Sequence, residues 1–170
     1  MKERADIRAA TEADLPFINS IYNHFVLHST CTYQEEPETA EDRERWFARH
    51  DWDHPVIVAE LAGRVVGWGS LSPYHARSAY RRTVEDSVYV DRDFHRHGIG
   101  STLLSELITL GRARGHRAII AGIDSEQTAS VALHERFHFT RAGLLRQVGF
   151  KFGRWLDVIY MELLLGNDPE

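Results

Sequence analysis

The sequence predicts an α+β domain: one mixed, mostly antiparallel central sheet flanked by helices on both faces. Three observations predict it. The run VEDSVYVDRDFHRHGIGS, Val84 to Ser101, reads as a strand, a short polar crossing and a glycine-bearing turn. Val84, Val88, Tyr89 and Val90 suit a pleated, half-buried surface, and Ile99, Leu103, Leu107 and Leu110 then recur at helical spacing. Before this run, two apolar stretches flank Ala62-Gly63 as a hairpin within a meander; after it the chain reads as strand, helix, strand. At 170 residues without linker, repeat or low-complexity segment, the chain is expected to form a single domain over 1–170.

The elements follow in order. Ile7 to Ala10 is a short first strand. Thr11 with Asp14 makes an acidic capping box for a helix from about Ala13 to Leu27. Leu15, Ile18, Ile21, Tyr22, Phe25 and Val26 form its apolar face, and Pro16 falls in the first turn, where a missing N–H costs little. Ser29 to Pro37 is a loop. Thr39 and Asp42 repeat the capping pattern before a helix containing Trp46 and Phe47. Val56 to Leu61 and Arg64 to Ser70 are the hairpin strands, and Pro73 to Tyr80 is a polar-aromatic crossing into the central strand. After the helix that follows Gly98, Ala118 to Ile123 is a strand and Ser130 to Phe137 a short helix. Leu144 to Phe150 and Trp155 to Leu165 close the chain as two strands around Lys151-Phe152-Gly153.

Composition narrows the function. Apolar residues make 43% and charged residues 26%, ordinary for a soluble globular protein. A formal net charge of −5 supplies no basic field for nucleic acid. The single cysteine, Cys31, excludes an intrachain disulfide and fits a reducing cytoplasm; its neighbours Ser29, Thr30, Thr32 and Tyr33 include no activating base. No apolar run approaches the ~18 residues of a membrane span, and no signal peptide is legible.

The glycine turn is the first chemical signal. A strand that feeds a helix through glycines gathers free backbone N–H groups and the positive end of a helix dipole, a site for an anion such as a pyrophosphate. The glycines allow close approach because no Cβ intervenes. A P-loop requires GxxxxGK followed by Ser or Thr, which the chain lacks. A dinucleotide turn requires GxGxxG, and Ser101, Thr102 and Leu103 follow Gly98-Ile99-Gly100 without the third glycine. By itself the turn is also compatible with an ordinary strand-to-helix connection. It matches a third pattern, the acetyl-CoA loop of GNAT acyltransferases, Gln/Arg-x-x-Gly-x-Gly/Ala, except that His95 stands at the first position.

Other runs extend the match. They are Ile7-Arg8-Ala9-Ala10 with Asp14, Ile21-Tyr22-Asn23, Ser29-Thr30, Arg77-Ser78-Ala79-Tyr80, Thr83-Val84-Glu85, and Ser87-Val88-Tyr89-Val90. Ser130-Val131-Ala132-Leu133-His134-Glu135, the stretch Val148 to Trp155, and Asp157-Val158 complete it. Together they span Ile7 to Leu165. With them the chain resembles the GNAT N-acetyltransferases, and within them the phosphinothricin and methionine sulfoximine N-acetyltransferase branch. The resemblance implies the GNAT fold, acetyl-CoA as cosubstrate, a small amino-acid-like amine as acceptor, direct transfer in a ternary complex, no metal, and a cytoplasmic homodimer to which the C-terminal strands contribute.

Acetyl transfer from a thioester requires a neutral amine, a polarised carbonyl and a proton for the departing thiolate. Glu85, on the central strand, is the candidate base, and resembling enzymes place a glutamate there; Asp86 is its neighbour, turned by alternation to the opposite face. The resemblance implies that Val88, Tyr89 and Val90 offer backbone groups to the pantetheine and the thioester carbonyl. It implies that Arg96, His97, Gly98, Ile99, Gly100 and Ser101 wrap the pyrophosphate. Gln127 stands where an asparagine usually contacts CoA, and Ser130 begins the following helix or touches the cosubstrate. By resemblance His134 occupies the position of the acid that protonates the thiolate, a role its near-neutral pKa suits; a histidine satisfied on its helix face is the alternative reading. A guanidinium binds carboxylate as a fork, which makes Arg77 the candidate substrate anchor, with His75, Tyr80 and Ser87 as further pocket residues.

Two rival readings exist. His134-Glu135-Arg136-Phe137-His138 spells HExxH, the zinc hydrolase signature. A third zinc ligand would have to come from Asp157, Glu162, Asp168 or Glu170, since no histidine follows His138. The departures at His95, Gln127 and His138 also admit a non-catalytic CoA-binding GNAT domain; Glu85, His134 and Arg77 together argue for catalysis.

Overall fold

The computed structural model describes residues 4–166. Seven strands form one sheet in the order β1-β2-β3-β4-β5-β7-β6. The strands are β1 (Asp6–Ala9), β2 (Val56–Leu61), β3 (Arg64–Pro73), β4 (Thr83–Val90), β5 (Ala118–Asp124), β6 (Thr140–Lys151) and β7 (Arg154–Leu164). The helices are α1 (Leu15–His28), α2 (Ala40–Phe47), α3 (Ile99–Ala113) and α4 (Thr128–Arg136). Every strand pair is antiparallel except β4 with β5. The mixed, mostly antiparallel α+β sheet is therefore the one the sequence predicts.

Alternation along β2 divides the core. Ile57 and Ala59 pack into one apolar cluster with Leu103, Leu104 and Leu107 of α3, while Val56 and Val58 pack into another with Leu15, Ile18 and Ile21 of α1. Residues two apart on a strand share a face, so helices cover both faces of the sheet. On the α1 face, Trp68 of β3 stacks on Tyr89 of β4 with ring centroids 4.9 Å apart, and Tyr22 meets Tyr89 edge-on at 5.3 Å. This packing leaves Tyr89 half-buried.

Local signals account for most boundaries. Thr39 and Asp42 close a full capping box on α2: the Asp42 N–H donates to Thr39 Oγ1 at 3.1 Å and the Thr39 N–H to the Asp42 carboxylate at 3.0 Å. At the first helix a 3₁₀ turn, Glu12–Asp14, precedes α1. Several expected boundaries move. β3 runs three residues past Ser70 because Leu71, Ser72 and Pro73 pair with Asp86, Glu85 and Val84. α4 covers Thr128 to Arg136 rather than Ser130 to Phe137. β6 begins at Thr140, four residues before Leu144, as an exposed edge strand whose polar start carries no apolar alternation. Its register against β7 shifts between Leu145 and Gly149, where Gln147 adopts φ 56° and donates its N–H to the Asp157 carboxylate at 2.8 Å. A bulge of this kind is invisible to a period-2 pattern.

Candidate active site

The site originates in the single parallel pairing. β4 and β5 are joined only at Thr83–Ala118, Val84–Ile119 and Glu85–Ile120. Past Glu85 the strands separate, and β4 continues to Val90 with its β5-facing backbone unpaired to that strand. The opening is a cleft of about 750 Å³. It is walled by β4 from Glu85 to Val90, the Gly98–Ser101 turn, β5 from Ala121 to Asp124, α4, and the loop Ser29 to Tyr33.

One end of the cleft suits an anion. Arg96 and Gly98 adopt left-handed φ of 64° and 79°, which curls the chain so that its N–H groups lead into α3. A Cβ on Gly98 would meet no neighbour, so the glycine serves the backbone conformation and an approaching ligand rather than packing. Arg136 of α4 donates to Ser101 Oγ at 2.8 Å and also lines the cleft, a cation at this end that the sequence reading did not single out. His95, the departure from the usual pattern, bonds its Nε2 to the Val90 carbonyl at 2.9 Å and stacks on Phe25 at 6.1 Å, interplanar angle 2°. It ties the turn to the end of β4.

The other end holds Glu85. Its carboxyl is half-buried with no hydrogen-bond partner among the described residues, and burial followed by the neighbouring Asp86 charge pushes its pKa above the usual carboxylate range. Tyr160 of β7 and Gly122 of β5 flank it. From Glu85 to Val90 the strand covers about 16 Å, so the acidic group and the anion-binding turn face one continuous channel along the edge of β4 that β5 leaves open.

The third wall is the loop Ser29 to Tyr33, pinned by three contacts. Lys151, 2% exposed, donates its ammonium to the Ser29 and Thr32 carbonyls, each at 2.8 Å. Gln127 donates its amide to Thr30 Oγ1 at 3.2 Å, and Tyr33 donates its hydroxyl to the Asp124 carboxylate at 2.6 Å. The Tyr33 ring lies so close to Gly149 that a side chain there would collide with it. None of these three contacts is legible from spacing, because each joins residues more than 90 positions apart in sequence.

Most of the expected cosubstrate residues line the cleft: Val88, Tyr89, Val90, Arg96, Gly98, Ile99, Gly100, Ser101, Gln127 and Ser130. His97 does not; it is exposed beside Phe94. Ser130 lies inside α4 rather than at its start, its N–H bonded to the Gln127 carbonyl. Glu85 and Ser87 line the cleft on the acceptor side. His75, Arg77 and Tyr80 do not: they sit on the exposed crossing between β3 and β4, where Tyr74, His75 and Tyr80 pack together with His75–Tyr80 centroids 5.1 Å apart. That crossing begins beside Glu85, since Ser72 is the cross-strand partner of Glu85 and Pro73 that of Val84.

His134 is 4% exposed, with both ring nitrogens engaged. Nδ1 meets the Ser130 carbonyl at 2.7 Å and Nε2 the Asp86 carboxylate at 2.9 Å. Burial alone would lower its pKa, but Asp86 and the Ser130 carbonyl carry it above the ordinary imidazole value. These bonds also remove the zinc reading of HExxH. His138 lies beyond the end of α4 with φ 68°, so the two histidines do not share a helical face, and both His134 nitrogens are spent. Among the described residues no three metal-ligating side chains are grouped; Asp168 and Glu170 lie outside them.

Residues 18–139 match the family described as Acetyltransferase (GNAT) family. The chain is 43% identical over 167 residues to an L-methionine sulfoximine/L-methionine sulfone acetyltransferase of Pseudomonas paraeruginosa, covering 97% of this chain and 96% of that protein. It is 42% identical to a phosphinothricin N-acetyltransferase of Alcaligenes faecalis, covering 92% and 80%. Among solved structures, an acetyltransferase from Salmonella typhimurium with its cofactor acetyl-CoA superposes with a TM-score of 0.94 at 39% identity, covering 98% of this chain and 96% of that one.

Proposed function

This chain belongs to the acetyltransferase (GNAT) family, and from that premise we propose the reaction and the residues that carry it. It is an acetyl-CoA-dependent N-acetyltransferase acting on the amino group of a small amino-acid-like substrate, of the methionine sulfoximine, methionine sulfone or phosphinothricin kind. The observation that carries the assignment of roles is the separation of β4 from β5 past Glu85. It leaves the β5-facing edge of β4 open from an anion-binding turn to a half-buried carboxylate without a hydrogen-bond partner among the described residues.

The pyrophosphate of acetyl-CoA lies on the N–H groups of Gly98 to Ser101, with Arg96 and Arg136 as cations. The pantetheine follows the backbone of Val88 to Val90, whose groups orient the thioester and polarise its carbonyl. Glu85 draws the proton from the acceptor amine, directly or through water, and its raised pKa brings it closer to the working pH of a base. The neutral amine then attacks the thioester carbon; a C–N bond forms, the C–S bond breaks, and the remaining excess proton on the nitrogen passes to the departing sulfur, directly or through water, so that CoA leaves as the thiol. Arg77, on the crossing that begins beside Glu85, binds the substrate carboxylate, with His75 and Tyr80 on the same crossing and Ser87 in the cleft completing the acceptor pocket. The protein acts as a cytoplasmic homodimer. Exposed apolar side chains on β6, β7 and the turn between them support the dimer: Leu144, Leu145, Val148, Phe150, Phe152 and Trp155.

The test is steady-state kinetics with acetyl-CoA and L-methionine sulfone, read by thiol release. Glu85→Gln keeps the size of the side chain but cannot accept a proton, so kcat falls on the order of 10²-fold while acetyl-CoA affinity holds. Arg77→Ala raises the amine KM and weakens the preference for carboxylate-bearing amines, with kcat near wild type. Near-normal turnover in Glu85→Gln at neutral pH would remove Glu85 as the base, and absence of turnover with every amine despite acetyl-CoA binding would favour a non-catalytic domain.

A further inference from the structure

We infer that Asp86 and His134 form a buried, charge-neutral couple that silences the second carboxylate of the site, so that His134 is a positioning residue acting through Asp86 rather than an acid that protonates the thiolate. The inference rests on the reading of Glu85 as the base. It goes beyond that reading because it assigns a function to Asp86 and changes that of His134.

Geometry carries it. The Asp86 side chain is 2% exposed and that of His134 5%, and they meet at 2.9 Å. The Ser130 carbonyl, 2.7 Å from Nδ1, is an acceptor only, so Nδ1 carries a hydrogen. Nε2 meets the Asp86 carboxyl at 2.9 Å, so one proton lies between the two atoms, since two lone pairs would repel at that distance. Whichever atom holds it, the pair as a whole carries no net charge, and the raised pKa of His134 places the proton on the ring. Phe139, edge-on to the imidazole at 4.9 Å, closes the remaining side. Neither N–H is left to point at a sulfur.

Position supplies the purpose. Asp86 is the strand neighbour of Glu85, and an unpaired carboxylate there would raise the pKa of Glu85 further or itself compete for the amine proton. The groups around Glu85 are Asp86 on its own strand, Ser72 opposite it on β3, Ile120 and Gly122 on β5, the Tyr160 phenol on β7 and, one strand beyond Ile120 in register, Glu162. Of the carboxylates, Asp86 is the one whose charge acts on Glu85. Its imidazolium partner reaches it from α4, 48 residues along the chain.

The full-length protein is tested as wild type, His134→Gln, Asp86→Asn and the double variant, each checked for thermal midpoint and acetyl-CoA binding. The double variant puts a neutral amide at each of the two positions, so both charges are removed together. Kinetics with L-methionine sulfone are expected to show His134→Gln losing tenfold or more in kcat at neutral pH, with the acidic limb of kcat/KM displaced upward by on the order of one pH unit. Asp86→Asn leaves that limb at or below its wild-type position. The double variant returns kcat and the limb to within about threefold of Asp86→Asn. If the double variant is as impaired as His134→Gln, His134 protonates the leaving group and the inference fails. Independently of activity, ¹⁵N-histidine NMR of the wild type is expected to show His134 mainly as imidazolium at pH 6.5; a neutral ring there overturns the couple. Failure of the underlying reading is distinguishable, because it appears as full turnover in Glu85→Gln and leaves the NMR result untouched.

Discussion

The Tyr33 hydroxyl donates to the Asp124 carboxylate at 2.6 Å, joining the loop after α1 to the end of β5 across 91 residues of sequence. The same hydroxyl stands 3.2 Å from the Asp157 carbonyl on β7. Burial and the Asp124 charge hold the phenol well above its ordinary pKa, so it remains a donor throughout the working range. Three segments of the cleft wall thus meet at one proton.

Tyr33→Phe removes that proton and leaves Asp124, 4% exposed, with the Glu126 N–H as its remaining donor. The expected result is a loss of about 1–3 kcal/mol of stability and a severalfold rise in the amine KM. The acetyl-CoA KM is expected to rise at least as much, since Asp124 lies four residues past Ile120, the register partner of Glu85, and so stands level with the cosubstrate stretch of β4. An unchanged acetyl-CoA KM would mean that the loop does not shape that part of the cleft.

The glycine turn is tested by affinity for CoA. Gly98→Val places a branched side chain at φ 79°, and Gly100→Val adds atoms where even a Cβ would stand 3.5 Å from Leu133. Ser101→Ala keeps the backbone N–H and loses only the partner of Arg136. Calorimetric titration is expected to show a loss of about tenfold or more for each valine variant and less for Ser101→Ala. Equal CoA affinity in all three would detach the cosubstrate from this turn.

The dimer is tested on the outer hairpin. Trp155 is 62% exposed and packs on Phe150, 51% exposed, at 5.0 Å. Trp155→Glu with Phe150→Lys is expected to convert a dimer to a monomer in sedimentation velocity, with the thermal midpoint little changed at concentrations where wild type is also dissociated. A wild-type monomer at micromolar concentration would sink the dimer.

The link between β1 and α1 is pH-sensitive. Arg8 donates to both Asp14 oxygens at 2.8 Å, and the Thr11 N–H donates to the same carboxylate at 2.8 Å. The Arg8 bonds, outweighing burial, lower the Asp14 pKa below its unfolded value of about 3.9. The stabilisation is therefore complete above about pH 4 and is lost as pH falls through the lowered folded value. Asp14→Asn is expected to cost about 1–3 kcal/mol at pH 7 and progressively less below pH 4, read from urea midpoints at both pH values. A gap independent of pH would mean that Asp14 acts by shape rather than charge.

The sequence by itself determined the order of elements, the caps at Thr39 and Asp42, the apolar faces of α1 and α3, and the glycine turn after β4. These are legible because each is decided within a few residues, by side-chain period, by a cap or by the absence of a Cβ. Resemblance added Glu85 and the cosubstrate segment, most of which the fold does bring to one cleft. The bulge at Gln147 and the early start of β6 were not legible, since an exposed edge strand needs no apolar alternation. Nor was the position of Arg77, the candidate substrate anchor, which the fold leaves on an exposed crossing that does not line the cleft. Only the tertiary structure decided that β4 and β5 part after Glu85, that Lys151 clamps Ser29 and Thr32, and that His134 spends both nitrogens on Ser130 and Asp86. Apart from the bond to Ser130, these depend on packing between segments far apart in sequence, and the charge state of a buried side chain follows from which partner that packing puts against it.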